Sequence, residues 1–181
     1  FYGIEINDFA VTVATTALWI SESQMMAETE RIVHHDIDFL PLKSYSNIHE
    51  GNAMRTDWHE VCPHPDYIIG NPPFVGYSLQ SKEQKADILN IFVDRNGKPF
   101  KTAGKIDYVA AWYYKAAEMM QDTDIRAALV STNSITQGEQ VAAIWKPLKE
   151  LFNIHIDFAC RTFRWDSEAN LKAHVHCVII G

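Results

Sequence analysis

Short apolar runs alternate along this chain with longer stretches in which apolar residues recur three and four positions apart. The short runs predict strands over residues 1–6, 47–50, 66–70, 126–132, 154–159 and 175–180. The longer stretches predict helices over residues 8–20, 24–32, 107–120 and 139–152. Because strands alternate with helices, we predict an α/β fold with a mostly parallel sheet and right-handed crossovers.

Single residues indicate where the predicted helices begin and break. Asn7 and Asp8 follow the first strand, and either side chain can cap the helix after it. Asp107 is predicted to cap the third helix in the same way. Pro147 falls inside the last predicted helix and is expected to kink or divide it. Residues 75–106 are polar, and we expect them to be irregular in part.

The tetrapeptide Asn71-Pro72-Pro73-Phe74 follows one predicted strand directly. Each proline fixes its own φ at about −65° and keeps the residue before it extended, so the loop is stiff. The loop presents the carboxamide oxygen of Asn71 and the carbonyl oxygen of Pro72 beside the flat face of Phe74. Two acceptors and a ring suit the exocyclic amino group of a planar base or amide. A plain Pro-Pro turn, with Asn71 as a turn residue, is the structural alternative.

Other polar and aromatic side chains also fall at the carboxyl ends of predicted strands, where parallel sheets bind ligands. Glu5 ends the first strand, where an acid can accept hydrogen bonds from ribose hydroxyls or simply lie near a helix start. Asn52 ends the second strand, where its carboxamide can pair with an adenine edge or form a turn after Gly51. Phe163 and Trp165, before the last strand, either project into the same cleft or belong to the core and its rim.

Composition and charge narrow the function classes. With 181 residues and 47% hydrophobic composition, one domain with a real core is expected. The 16 basic and 23 acidic residues make the chain a poor stand-alone binder of duplex DNA, since neutralising phosphates supplies most non-specific affinity. Residues 82–105 carry six basic residues against three acidic ones. They could touch a DNA backbone or form a solvated loop.

The chain has three unclustered cysteines, no apolar run near ~18 residues and no signal peptide. These features favour a reduced, cytoplasmic protein without membrane contact. No spacing of histidines and cysteines predicts a metal site. The chain opens on Phe1, already within a strand and without an initiator methionine. We therefore expect a fragment of a longer polypeptide.

The order of these motifs resembles that of a known enzyme family. An acid follows the first strand, Gly51-Asn52-Ala53 follows the second, Asn-Pro-Pro-Phe follows the third, and an aromatic run precedes a final hairpin strand. This order resembles the class I S-adenosylmethionine-dependent methyltransferases that act on the N6 amino group of adenine in DNA. The stretches 51–58, 69–76 and 163–169 are closer still to the large bifunctional restriction–modification proteins of type IIG or IIL. In those, one polypeptide carries a nuclease, a methyltransferase and a target-recognition domain. The resemblance implies a Rossmann-like twisted sheet with helices on both faces and an antiparallel last strand.

For the cofactor, S-adenosylmethionine, the resemblance implies two contact regions. Glu5 would hold the ribose hydroxyls, and Ile6 would pack on the adenine ring. Asn52 would bond the adenine amino group, and the Ala53 backbone amide would meet a ring nitrogen. The family's first strand and glycine-rich loop, which cradles the methionine portion, are expected upstream. Residues 1–181 would then be a single partial catalytic domain that is inactive alone.

For the target adenine, the resemblance makes residues 71–74 the catalytic motif. Its two carbonyl acceptors would take the hydrogens of the target amino group. Phe74 would stack on the base after its extrusion from the duplex, and Phe163 or Trp165 would flank the other side. Duplex DNA would be read by flanking domains, and nothing in the sequence indicates an oligomeric state.

Other function classes share part of this pattern. Methylation of a glutamine side chain in a protein, or of an RNA base, would use the same acceptor loop. A non-catalytic nucleoside-binding module shares the argument from Glu5 but has no use for Asn-Pro-Pro-Phe. A degenerate methyltransferase fold kept for DNA or subunit binding would not need an intact Asn71 and Phe74. The aromatics at 163–165 and the basic residues at 82–105 favour a nucleic-acid substrate.

Overall fold

The chain forms two compact units, Phe1–Pro63 and His64–Gly181. The computed structural model describes residues 1–34, 47–165 and 175–181, and of Trp165 the backbone alone. Each unit contains its own pair of parallel strands and its own helices. The prediction of a single domain over residues 1–181 stays a prediction.

The first unit combines a two-stranded parallel sheet with a long helix. Its elements are β1 (Gly3–Glu5), α1 (Asp8–Val33), β2 (Ile48–Glu50) and α2 (Trp58–Val61). The Oδ1 of Asn7 accepts from the Ala10 amide at 3.0 Å, so Asn7 is the cap of α1. The two predicted helices at 8–20 and 24–32 are one continuous helix, because neither glycine nor proline separates them.

The second unit is a four-stranded sheet with the strand order β3-β4-β6-β5. Its elements are β3 (Tyr67–Gly70), α3 (Lys82–Ile91), α4 (Ala110–Met119), β4 (Arg126–Thr132), α5 (Gly138–Phe152), β5 (Ala159–Trp165) and β6 (Val175–Ile180), with short 3-10 turns at Ala103–Lys105 and Asn133–Thr136. Strands β3 and β4 are parallel, and β6 runs antiparallel to both of its neighbours. The predicted α/β fold with an antiparallel last strand is confirmed.

Residues from β4, α4 and α5 form much of the core of the second unit. Leu129, Ile144 and Leu148 are at most 1% exposed. The hydroxyl of Tyr113 lies 2.7 Å from the Ser131 hydroxyl and donates to the Leu129 carbonyl at 3.2 Å. Burial raises the pKa of Tyr113 to about 12, against a smaller lowering by Ser131. Tyr113 therefore stays a neutral donor at physiological pH.

Strand β5 differs from the prediction. The alternating residues Ile154, Ile156 and Phe158 predicted a strand at 154–159, but β5 begins at Ala159. Ile156 and Phe158 are about half exposed, so alternation there does not mark a buried face. Partner β6 pairs instead with residues 159–165, and between Cys160 and Phe163 the register shifts so that β5 contains one extra residue, a β-bulge.

Two predictions about helix α4 and helix α5 also change. Asp107 does not cap α4 with its side chain; the cap position is Val109, which makes no side-chain cap bond. The Asp107 carboxylate bonds elsewhere in the unit. Pro147 does not divide α5, which runs without interruption to Phe152.

Strand β3 lies at the edge of its sheet. Among the residues that the structure describes, β3 pairs with β4 alone. Tyr67 and Ile69 share one face of β3 and are 71% and 78% exposed. Apolar residues this exposed on a parallel strand are unusual, since parallel sheets are normally covered on both faces.

Candidate functional site

The Asn-Pro-Pro-Phe loop leaves the carboxyl end of β3 as an irregular segment over residues 71–76. Asn71 and Pro73 are exposed, Pro72 is buried and Phe74 is half-buried. The loop is therefore anchored in the protein at Pro72, while its asparagine faces solvent. This is the arrangement that a loop presenting a hydrogen-bond acceptor to a ligand requires.

The segment that follows is fixed to the start of α4. The Val75 carbonyl accepts from the Tyr108 amide at 2.9 Å. The Tyr77 amide donates to Asp107 Oδ1, also at 2.9 Å. Gly76 lies between these two bonds, so the backbone just after Phe74 is held on both sides.

The carboxyl end of β4 lies beside this loop in the sheet. Gly70, the last residue of β3, pairs with Leu129, and Thr132 ends β4 three residues further on. The Thr132 and Ser134 hydroxyls lie 2.8 Å apart, and Ser134 donates to Asp107 Oδ2. Through Asp107, the end of β4 and the segment after the Asn-Pro-Pro-Phe loop therefore share one hydrogen-bonded network.

Phe163 lies in the same row of the sheet as the end of β4. Cys177 of β6 pairs with Thr132 on one side and with Phe163 on the other. Because β5 and β4 both run antiparallel to β6, their carboxyl ends lie at the same edge of the sheet. Three strand spacings, about 14 Å, separate β3 from β5. Phe163 is half-buried, and the side chain of Trp165 lies outside the described residues.

The predicted cofactor residues lie in the first unit, at the carboxyl end of its two-stranded sheet. The Gly51 amide donates to the Glu5 carbonyl at 2.9 Å, which brings the end of β1 next to Asn52. The Glu5 carboxylate accepts from the Asn7 amide at 3.1 Å. Ile6 is 70% exposed. An acceptor and an exposed apolar side chain thus lie side by side at the end of β1.

The loop after β2 is a compact turn held by its own side chains. Asn52 Oδ1 accepts from the Met54 amide at 2.9 Å, and the indole of Trp58 donates to the Ala53 carbonyl at 2.9 Å. A Cβ on Gly51 would lie 3.1 Å from the Thr56 hydroxyl, so glycine suits this close approach. The turn fixes the positions of Asn52 and Ala53 relative to β1.

Three residues near the loop were not predicted as part of a site. They are Asp107, Ser134 and Gln140. Asp107 is only 6% exposed, and its carboxylate accepts from the Ser134 hydroxyl. Its backbone amide donates to Gln140 Oε1 at 3.1 Å. An aspartate before an apolar helix is also what a helix cap looks like, so the sequence contains no signal that separates the two roles.

Residues 1–34, 47–165 and 175–181 form neither a metal centre nor a membrane-spanning helix. No three histidine, cysteine or acidic side chains there lie together as metal ligands. No helix in those ranges has the length and apolar character needed to cross a membrane.

Fold and site define the class as an α/β methyltransferase domain. Residues 1–181 match the family described as MmeI, DNA-methyltransferase domain, and the chain belongs to this family. The resemblance inferred from the motifs is confirmed.

Two relatives are similar along the whole chain. DNA methyltransferase A of Bacillus subtilis (strain 168) is 44% identical over 187 residues, covering 100% of this chain and 20% of that protein. The type IIL restriction-modification enzyme MmeI, in a structure with DNA, matches with a TM-score of 0.88 and 46% identity, covering 99% of this chain and 24% of its own. The chain therefore spans about a quarter or less of either relative.

Proposed function

We propose that this chain transfers a methyl group from S-adenosylmethionine to the N6 amino group of adenine in duplex DNA. It would be the modification activity of a longer restriction–modification polypeptide. The observation that carries the proposal is the Asn71–Phe74 loop, fixed at the carboxyl end of β3 with Asn71 exposed. Family membership and the likeness to an enzyme studied in complex with DNA support it.

The residues at the end of β1 and β2 fit the cofactor. Glu5 offers a carboxylate that can accept from ribose hydroxyls, and Ile6 offers an exposed apolar side chain for the adenine ring. Asn52 and the Ala53 amide would meet the edge of that ring. When bound, S-adenosylmethionine supplies an electrophilic methyl group on a sulfonium.

The loop residues would act on the target amino group. Adenine N6 is a weak nucleophile because its lone pair is delocalised into the ring. The Asn71 carboxamide oxygen and the Pro72 carbonyl would hold its two hydrogens, so that the nitrogen becomes tetrahedral and its developing positive charge is stabilised. No basic side chain is needed before attack, which suits a neutral asparagine. The new N–CH₃ bond would replace the S–CH₃ bond, leaving a neutral thioether, and the nitrogen would then lose one proton to solvent.

Extrusion of the target base costs a few kcal/mol, and aromatic side chains would offset that cost. Phe74 would stack on one face of the base, and Phe163 or Trp165 would flank it. The exposed cations of residues 82–105, among them Lys82, Arg95 and Lys98, would contact the DNA backbone. Sequence readout would come from flanking domains.

The test is methyl incorporation by the full-length protein. It is incubated with labelled S-adenosylmethionine and mixed duplex DNA, and the DNA is digested to nucleosides. We expect label in N6-methyladenine. Unlabelled DNA, with label on protein or RNA instead, would contradict the proposal and favour a glutamine or RNA substrate.

Glu5→Gln should weaken binding of S-adenosylmethionine to the full-length protein about tenfold, because hydrogen bonds to a carboxylate are worth about 1.5–3 kcal/mol. Glu60→Gln is the matched control, since Glu60 is an exposed glutamate of the same unit that lies in α2 and has no proposed contact with the cofactor. Calorimetry measures both affinities. Equal weakening by both substitutions would exclude a specific role for Glu5.

We also propose that residues 1–181 have no methyltransferase activity by themselves. The exposed edge and face of β3 support this, because a parallel strand with Tyr67 and Ile69 in solvent is expected to need a further covering element. We propose in addition that the protein is cytoplasmic.

A further inference from the structure

Asp107 is a buried carboxylate that joins the catalytic loop to the end of the neighbouring strand. It is 6% exposed, and each of its oxygens accepts a hydrogen bond: Oδ1 from the Tyr77 amide at 2.9 Å and Oδ2 from the Ser134 hydroxyl. We propose that Asp107 is a positioning residue that fixes the Asn71–Phe74 loop against the carboxyl end of β4. This inference rests on the proposed methyl transfer.

Burial makes these two bonds necessary. A carboxylate removed from water is unfavourable unless its oxygens are hydrogen-bonded. On the loop side, the bond to Tyr77 works together with the bond from the Tyr108 amide to the Val75 carbonyl. Two consecutive residues, Asp107 and Tyr108, thus hold the backbone on either side of Gly76.

On the other side, Asp107 contacts the turn after β4 through its carboxylate and the start of α5 through its backbone amide. Ser134 lies in the turn after β4, and its hydroxyl is 2.8 Å from that of Thr132, the last residue of the strand. The Asp107 amide donates to Gln140 Oε1 at 3.1 Å, in the first turn of α5. One residue therefore connects three elements that meet at the edge of the sheet.

The two prolines alone cannot fix the loop relative to the end of β4. They stiffen the loop internally, and buried Pro72 holds part of it in the protein, but neither proline fixes the backbone that follows Phe74. Transfer of a methyl group needs the acceptors and the nitrogen in line, and displacement by about 1 Å can cost a hundredfold in rate. The carboxylate supplies the missing constraint without touching the reacting atoms.

The test uses Asp107→Ala in the full-length protein. We expect the single-turnover rate of methyl transfer to DNA to fall about tenfold or more, while S-adenosylmethionine affinity changes less than threefold. Amide hydrogen exchange over residues 75–78 should become at least tenfold faster. Asp107→Asn should restore most of the rate, because its oxygen can accept from Tyr77 and its NH₂ can donate to Ser134, whose hydroxyl can also accept.

Tyr114→Phe is the control for the loss of one hydrogen bond elsewhere in the unit, since its hydroxyl donates to the Val93 carbonyl at 2.8 Å. It should leave both the rate and exchange at 75–78 unchanged. If Asp107→Ala does not fold, Ser134→Ala should lower the rate severalfold, because it removes the Asp107 bond on the β4 side together with the bond between the Ser134 and Thr132 hydroxyls.

Three results would overturn the inference. The first is an unchanged rate of methyl transfer in Asp107→Ala, or in Ser134→Ala if the alanine variant at 107 does not fold. The second is an equal effect of Asp107→Ala and Tyr114→Phe on the rate and on hydrogen exchange at 75–78. The third is an Asp107→Asn variant as slow as the alanine variant. Should the wild-type protein transfer no methyl group to DNA, the proposed function fails, while hydrogen exchange still decides whether Asp107 holds the loop.

Discussion

Asn71→Ala in the full-length protein is expected to lower the rate of methyl transfer about a thousandfold and to leave S-adenosylmethionine affinity within about threefold. The carboxamide oxygen would bond the target nitrogen most strongly as that nitrogen becomes positive, so its loss acts on the transition state. Removal of one such acceptor or donor typically costs about 10²–10³ in rate. We expect the upper end because Asn71 would be one of only two acceptors.

Single-turnover transfer to DNA and calorimetric titration with S-adenosylmethionine measure the two quantities separately. Asn153→Gly is the control, since Asn153 is an exposed asparagine of the same unit outside residues 82–105, and glycine readily adopts its positive φ of 52°. Because Asn71 is exposed, its truncation should not unfold the protein. Parallel loss of cofactor affinity and transfer would instead make Asn71 a structural residue.

Phe74→Ala should reduce kcat/KM for DNA about a hundredfold. Stacking of a base on an aromatic ring is worth about 1–3 kcal/mol, and here it would offset the cost of extrusion. Since Phe74 is half-buried, the same change should destabilise the fold less than removal of a core phenylalanine. Steady-state transfer to plasmid DNA and thermal unfolding measure the two effects.

Two further substitutions separate stacking from packing. Phe74→Tyr keeps a flat ring and should retain most of the activity. Phe74→Leu keeps much of the apolar volume but has no ring, so we expect it to be nearly as impaired as the alanine variant. A leucine variant with wild-type activity would show that Phe74 fills space and does not stack on the base.

The sequence was sufficient to predict the elements that carry the loop. Strand β4 has the predicted bounds, Arg126–Thr132. It was predicted as a strand because its apolar residues are consecutive and the segment is too short for a helix. The strand before Asn71 was recognised for the same reason. The stiffness of the loop followed from its two prolines, whose restrictions are local.

What the sequence did not predict depends on contacts between distant residues. Asp107 lies 30 positions from Tyr77 and 27 from Ser134, so its role appears only when the chain is folded. Strand β5 was placed too early because Ile154, Ile156 and Phe158 alternate like a strand. Their alternation is local, whereas the true bounds are set by pairing with β6.

The bulge in β5 has a consequence for how this family can vary. Along a strand, successive side chains point to opposite faces, and one inserted residue reverses that order for everything after it. The extra residue between Cys160 and Phe163 places Phe163, and not Thr162, opposite Cys177. If β5 paired regularly with all of its residues kept, Thr162 would lie opposite Cys177 and Phe163 would move to the other face of the sheet. A relative could thus keep the aromatic motif and still present a threonine where this chain presents a ring.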